Sequence, residues 1–227
     1  MRSTDPEVKR AAHDTLVSAY WKPVYKYLRM KWRATAVDAQ DLTQEFFARA
    51  LEKGFFESYE SAKGRFRTFL RTCLDGFMSN QRKAERRLKR GGGVLPVALD
   101  FDDAEREIAR HAVVDEANAE AYFHREWVRC LLGQTVDGLR QDYARQGKTL
   151  QFRIFERYDL KESETDSATT YAQIAREFGV SASDVTNYLA AARRSFRRAL
   201  IERLTAVCES TDDVEQEIRD LLLGDVR

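Results

Sequence analysis

Along most of the chain apolar residues return every three or four positions, the period of a helix that buries one face. Over residues 12–28 the stripe is Leu16, Ala19, Tyr20, Val24, Tyr27 and Leu28, with Pro23 inside it. The missing proline N–H predicts either one kinked helix or a pair broken there. Residues 38–51 place Leu42, Phe46, Phe47, Ala50 and Leu51 on one side and Asp38, Asp41 and Glu45 on another, with Glu52 extending the acidic face. Asp38 followed by Asp41 reads as a capping pair, and Gly54 is placed to end the helix. The segment from Gly64 to Arg90 repeats the arrangement with the charge reversed. Phe66, Phe69, Leu70, Cys73, Phe77, Ala84 and Leu88 form its buried stripe, while Arg67, Arg71, Arg82 and Arg86 gather opposite. Gly91, Gly92, Gly93 and Pro96 then open a linker, because such residues do not sustain a helix.

Helical spacing returns from about residue 115 through Phe123, Trp127, Leu131, Val136, Leu139 and Tyr143, and Phe152, Phe155 and Tyr158 predict a further short helix. Residues 161–169 are polar and read as a mobile loop. Near the end Ile174, Ala175 and Phe178 form the apolar side of one helix, Gly179 supplies a turn, and Ser181 with Asp184 caps the next. Val185, Leu189, Ala192, Phe196 and Leu200 are the buried stripe of that last helix. No alternating pattern is long enough to predict a strand. The expected fold class is all-α: two helical domains joined by a flexible linker, the C-terminal one containing a helix-turn-helix. The divisions fall at 8–90, an acidic linker at 91–114, a second domain at 115–205 and an acidic tail at 206–227.

Charge sharpens this picture only locally. The 227 residues carry 38 Lys and Arg against 37 Asp and Glu, so the near-neutral total hides a basic run of Lys83, Arg86, Arg87, Lys89 and Arg90 and an acidic one of Asp212, Asp213, Glu215, Glu217 and Asp220. The basic face suits nucleic-acid phosphates. Asp100, Asp102, Asp103, Glu105 and Glu107 make the linker acidic, and the tail has weak amphipathic spacing through Val214, Ile218, Leu221 and Leu222 that suits docking on its own chain or a regulator. Cys73, Cys130 and Cys208 lack metal-ligand spacing and read as reduced structural residues; His13, His111 and His124 have no ligand spacing either. Neither a metal nor a cofactor is expected, and no catalytic residues are assigned. No apolar run reaches the roughly 18 residues of a bilayer span, and no signal-peptide core is evident, so a cytoplasmic protein without a membrane partner is expected.

DAQDLTQEFFARAL at 38–51 with GRFRTFLRT at 64–72 resembles the first conserved domain of bacterial sigma factors, specifically the small extracytoplasmic-function class of the sigma-70 family. TYAQIAREFGVSASDVTNYLAAARRSFRRALIERL at 170–204 is similar to the helix-turn-helix domain with which those factors read the upstream promoter element. GGGVLPVALDFDDAER and FHREWVRCLLGQTVDGL extend the resemblance, more loosely, to a subgroup often associated with Ser/Thr protein kinases.

The resemblance implies a factor that binds core RNA polymerase, recognises two promoter elements and helps open the DNA. Asp38, Asp41 and Glu45 match the polymerase-docking face. Phe55, Phe56 and Tyr59 match a loop that holds an unstacked base of the downstream element, flanked by phosphate contacts from Arg67, Arg71, Arg82, Lys83 and Arg86. By spacing alone, those three aromatics equally close a small core. The last helix, placed in a major groove, would put Ser183, Asp184, Asn187 and Tyr188 on base edges and Arg193, Arg194, Arg197 and Arg198 on phosphates. In the family the linker follows the path of nascent RNA, where its acids imitate the transcript. The chain departs from the pattern at Gly76, where relatives commonly carry Asn, and near Thr186 and Tyr188, where they carry Lys or Arg.

An anti-sigma factor or a Ser/Thr kinase is a candidate regulatory partner. Thr43 lies in the middle of the apolar face of its helix, where a phosphate would disrupt packing; Thr35, Ser58 and Ser61 are the better exposed hydroxyls. Two other readings remain at this point: a stand-alone helix-turn-helix regulator, and a metal-dependent nuclease using Asp38, Asp41 and Glu45.

Overall fold

A computed structural model describes residues 6–60, 64–85, 99–110, 119–160, 169–207, 214, 215 and 217–219. These residues form helices and turns, with no strand among them, so the fold is all-α. Contacts divide the chain into two compact units, residues 1–130 with 204–227, and residues 131–203.

In the first unit, helix α1 spans Pro6–Met30 and passes through Pro23 unbroken. One proline removes one backbone donor, and Tyr20, Val24, Tyr27 and Leu28, buried on both sides of it, hold the helix together. The result is a single helix rather than a broken pair. Helix α2, Ala36–Glu52, lies against α1. Its cap is Thr35 and not the expected Asp38: the Thr35 hydroxyl accepts from the Asp38 N–H at 3.1 Å and donates to the Asp38 carboxylate at 2.7 Å. Asp38 thereby sits in the first turn, where a negative charge favours the helix dipole. Ala39, Thr43, Phe46, Phe47 and Ala50 are buried, whereas Leu51, expected on the same side, is 47% exposed in the last turn. His13, 2% exposed, reaches from α1 to the Phe47 carbonyl at 3.2 Å.

Gly54 leaves the helix with φ of 61°, the left-handed conformation that a side chain disfavours. A 3-10 turn, Phe55–Ser58, follows, and then helix α3, Phe66–Glu85. Phe66 is the hub of this corner, with Tyr59 edge-on at 5.1 Å, Tyr20 at 5.5 Å and Phe56 at 5.8 Å.

Helix α4, Phe101–Arg110, occupies the stretch expected as flexible linker, and it packs on α1. Lys22 donates to Asp103 and Glu107 at 2.7 Å each, Lys26 to Glu107 at 2.5 Å, and Arg29 to Glu105 at 2.6 and 3.0 Å. The linker acids therefore have a basic helix as partner within the chain. The glycine triplet, Pro96 and the polar 161–168 stretch lie outside the described residues.

The hydrogen bond from Arg29 holds the Glu105 carboxyl below its usual range, and the bond from Lys22 does the same for Asp103. For Glu107 burial acts to raise the value, but the hydrogen bonds from Lys22 and Lys26 outweigh it and the net direction is down. Folded-state values below the unfolded ones mean stability that is fully present above the ordinary carboxylate range and lost as pH falls through the depressed values. Acidification below about pH 4 is thus expected to release α4 from α1. Trp21 meets Phe101 edge-on at 5.3 Å, so a 5-fluorotryptophan resonance there should shift on acidification; a Trp21 signal unchanged down to about pH 2.5 would contradict the assignment.

Helix α5, Ala119–Arg145, begins in the first unit. Trp127 stacks at 6.1 Å on Tyr20, Phe123 meets Tyr27 edge-on at 5.5 Å, and Glu126 accepts from Lys26 at 2.5 Å. These contacts join the start of α5 to the first unit, which runs to Cys130.

The second unit has its own core of Leu139, Tyr143, Phe152, Ile154, Phe155, Ile174, Val185, Leu189 and Ala192. It is built from the rest of α5, helix α6 (Thr149–Phe155, continued by a π turn over Glu156–Leu160), α7 (Tyr171–Phe178) and most of α8 (Ala182–Val207). Two reciprocal capping boxes define the last pair of helices. Thr170 and Gln173 start α7, with the Gln173 N–H on Thr170 Oγ1 at 3.3 Å and the Thr170 N–H on Gln173 Oε1 at 2.7 Å. Ser181 and Asp184 start α8 in the same way at 3.0 and 3.1 Å. Between them Gly179 takes φ of 67°.

Candidate functional site

The outer face of α2 presents Asp38 and Asp41 as exposed carboxylates one turn apart. Glu45 continues the row but is engaged, accepting from Gln81 of α3 at 2.6 Å and pairing with Arg49 at 2.5 Å. The acidic face is therefore two open carboxylates followed by one that ties α2 to α3. Thr43 is 0% exposed and donates to the Ala39 carbonyl at 2.6 Å, which closes it to modification in the folded chain. Thr35 and Ser58 are exposed; Ser61 lies outside the described residues.

The aromatic loop and the basic helix are arranged differently from a simple exposed surface. Phe56 and Tyr59 are 4% and 3% exposed, with Tyr59 also donating to the Gly64 carbonyl at 2.9 Å; both are core residues, and of the three only Phe55 is partly open. Arg67 is 6% exposed, lies 5.2 Å above the Trp127 ring and pairs with Glu217 of the C-terminal segment. Arg71 pairs with Asp75 at 3.4 Å and Glu120 at 3.2 Å. Arg82 is exposed, Lys83 falls within α3 with its side chain outside the described set, and Arg86 lies beyond the described residues. The helical wheel puts Arg67 and Arg71 on the polar side of α3, but it is silent about which distant acids and rings cover that side.

Sequence reasoning missed a cluster at the end of α1. Asp75 accepts from Lys31 at 2.9 Å, from Tyr27 at 3.2 Å and from the Trp32 indole N–H at 3.2 Å. The Arg82 guanidinium lies 4.5 Å from the Trp32 ring centroid, a cation–π contact that fixes both on the surface. The readable signal was the Lys31–Trp32–Arg33 triplet together with Asp75, an acid in the middle of a basic helix.

On α8, Ser183 and Asn187 are exposed, and Tyr188 is half-buried against the second unit's core. Asp184 is committed to its cap, and the hydrogen bonds from Ser181 lower its carboxyl. Arg193 is held by Asp159 at 2.7 and 3.0 Å, which raises its already high value further, and lies 5.8 Å from the Tyr158 ring centroid. Arg194 and Arg197 are exposed, and Arg198 pairs loosely with Glu202 at 4.0 Å.

Little here suggests covalent chemistry. Burial pushes the Cys73 thiol up and the Cys130 thiol up to about 11, so neither is a ready thiolate. Among the described residues no three His, Cys, Asp or Glu side chains converge as a metal site, and no helix is long and apolar enough to cross a membrane.

Residues 16–88, which contain most of α1, all of α2 and α3 and the loops between them, match the family model described as Sigma-70 region 2. Proteins of that family are non-enzymatic transcription initiation factors, and region 2 binds core RNA polymerase and promoter DNA. The likeness to that domain covers residues 16–88 and leaves the rest of the chain unmatched. No curated protein and no solved structure gives a significant match.

Proposed function

We propose that the chain is a sigma factor of the extracytoplasmic-function class, in which residues 8–90 dock on core polymerase and engage the downstream promoter element while residues 115–205 bind the upstream one. The single observation that carries this reading is the region 2 match over 16–88 with its two exposed carboxylates, Asp38 and Asp41, on the outer face of α2. For the downstream element the supporting side chains are Phe55 and Arg82, which are accessible, with Lys83 and Arg86 following along the same basic run. For the upstream element α7, the Gly179 turn and α8 act as a helix-turn-helix. Ser183 and Asn187 stand at the start of α8, where such a helix reads bases, with Arg194 and Arg197 two turns on for phosphates. The association with a Ser/Thr kinase belongs to the same reading, through the resemblance of 91–106 and 123–139, and an anti-sigma factor is the alternative regulatory partner.

A gel shift on promoter fragments with and without core enzyme tests it. A sigma factor retards the specific fragment only when core is present; a stand-alone helix-turn-helix regulator retards it alone, which would overturn the proposal. For the core-bound complex, replacing Arg194 and Arg197 by alanine is expected to lower the slope of log K against log salt by about 1.8, at about 0.9 per lost phosphate contact. Arg193→Ala should change it less, because Asp159 already holds that guanidinium. An unaltered slope in the double variant would mean that this face of α8 does not meet DNA.

A further inference from the structure

We propose that Arg67 and Trp127 form an anion site for a nucleic-acid phosphate, and that the chain's own C-terminal segment fills it through Glu217. The segment 214–219 would then be a displaceable competitor for DNA on the region 2 domain. The inference rests on the promoter-binding reading for its second ligand, but not for the docking itself.

Four observations within the first unit carry it. The Arg67 guanidinium is 6% exposed, and Trp127 lies 5.2 Å beneath it, so the donor fork is held in place. Its charge persists at every physiological pH and cannot remain buried without a counter-ion. That counter-ion is Glu217, itself 6% exposed and 150 residues distant in sequence. Finally, Val214 is 6% exposed and lies three residues before Glu217, while Glu215 and Arg219 point outward and pair with each other at 3.8 Å. One face of the segment is inserted and the other is solvated, the pattern of a docked helical turn.

A carboxylate and a phosphodiester present the same paired oxygens to a guanidinium. Arg67 belongs to the GRFRTFLRT stretch inside the matched domain, so the group that neutralises it in the isolated chain stands where a phosphate would. Tethering gives the segment a high effective concentration. Among the described residues Val214 and Glu217 are buried and Ile218 is half-buried, and a carboxylate that rests on one guanidinium can exchange with a polyanion.

The test uses the full chain in five forms: the parent, Glu217→Gln, Glu217→Arg, Glu217→Arg combined with Arg67→Glu, and Glu217→Gln combined with Arg67→Ala. Amide hydrogen exchange at Glu217, Ile218 and Arg219 should quicken about tenfold in the two single variants, the scale of one lost charge-assisted hydrogen bond, and return toward the parent rate in the swapped pair. With a fluorescent single-stranded DNA oligonucleotide as probe, Glu217→Gln should bind about tenfold more tightly than the parent, and adding Arg67→Ala should abolish the gain. Unchanged exchange in Glu217→Gln would remove the docking. Faster exchange with unchanged oligonucleotide affinity would remove the competition. Failure of the chain to bind core polymerase would count against the sigma-factor reading while leaving the exchange result to decide the docking separately.

Discussion

Replacing Lys26 by methionine is expected to destabilise the first unit by about 3–5 kcal/mol. Lys26 is 2% exposed, and its ammonium lies 2.5 Å from both Glu107 of α4 and Glu126 of α5. Methionine fills much of the same volume, so the loss is electrostatic: among the described residues Glu126, 4% exposed, keeps its bond from Arg129 at the surface. A buried charge deprived of its main partner retains the desolvation cost without the compensating attraction. The companion variant tells this apart from a packing defect. Lys26→Met with Glu126→Leu removes both charges together and should recover most of the stability, because apolar packing commonly matches a buried ion pair. Urea denaturation of the three forms is the measurement. A loss below about 1 kcal/mol in Lys26→Met would mean that the pair is solvated and that α4 and α5 are held to α1 by their apolar contacts.

Reversing Asp38 and Asp41 to arginine is expected to weaken association with core polymerase by about 2–5 kcal/mol, roughly thirtyfold or more, with little effect on folding. Both carboxylates are exposed, and Asp41 lies outside the helix-capping contacts. Asp38 shares the cap with Thr35, but the Thr35 side chain continues to accept from the backbone at position 38. Glu45→Gln serves as contrast. Its carboxylate is already divided between Arg49 and Gln81, so the change should perturb the α2–α3 contact more than the association. Equal losses from Glu45→Gln and from the double reversal, measured by equilibrium binding to labelled core, would mean that the docking face lies elsewhere on α2.

The elements that packing dictates were legible in the sequence. The apolar stripe of α2 is buried at Phe46, Phe47 and Ala50, Thr43 lies among them, and Gly54 and Gly179 take the left-handed conformations that end their helices. Ser181 and Asp184 cap α8 because the chemistry of that box is local. What escaped was set by partners far along the chain. Lys26 and Glu126 are 100 residues apart, and nothing near either one announces the pair. The acids of 100–107 read as linker because their composition is polar, yet Lys22, Lys26 and Arg29 on α1 give that polar face a surface to order on.

The candidate site divides in the same way. Asp38 and Asp41 are where the wheel puts them, open on the outer face of α2. Arg67 and Arg71 are on the polar side of α3 as expected, but that side is covered by Trp127, Glu217, Asp75 and Glu120. Phe56 and Tyr59 turned inward because Phe66, the first residue of the next helix, offers them an aromatic neighbour. Thr35 lost to Asp38 as the expected cap since a one-turn shift preserves the same spacing of polar residues.

The proposed role is redirection of core RNA polymerase to promoters. Run-off transcription with the cognate core enzyme on a library of genomic promoter fragments tests it most directly. Defined start sites that require the added chain and vanish with the Asp38 and Asp41 reversal are expected. Core enzyme shown to be active with another sigma factor, yet giving no chain-dependent transcript from any fragment, would contradict it.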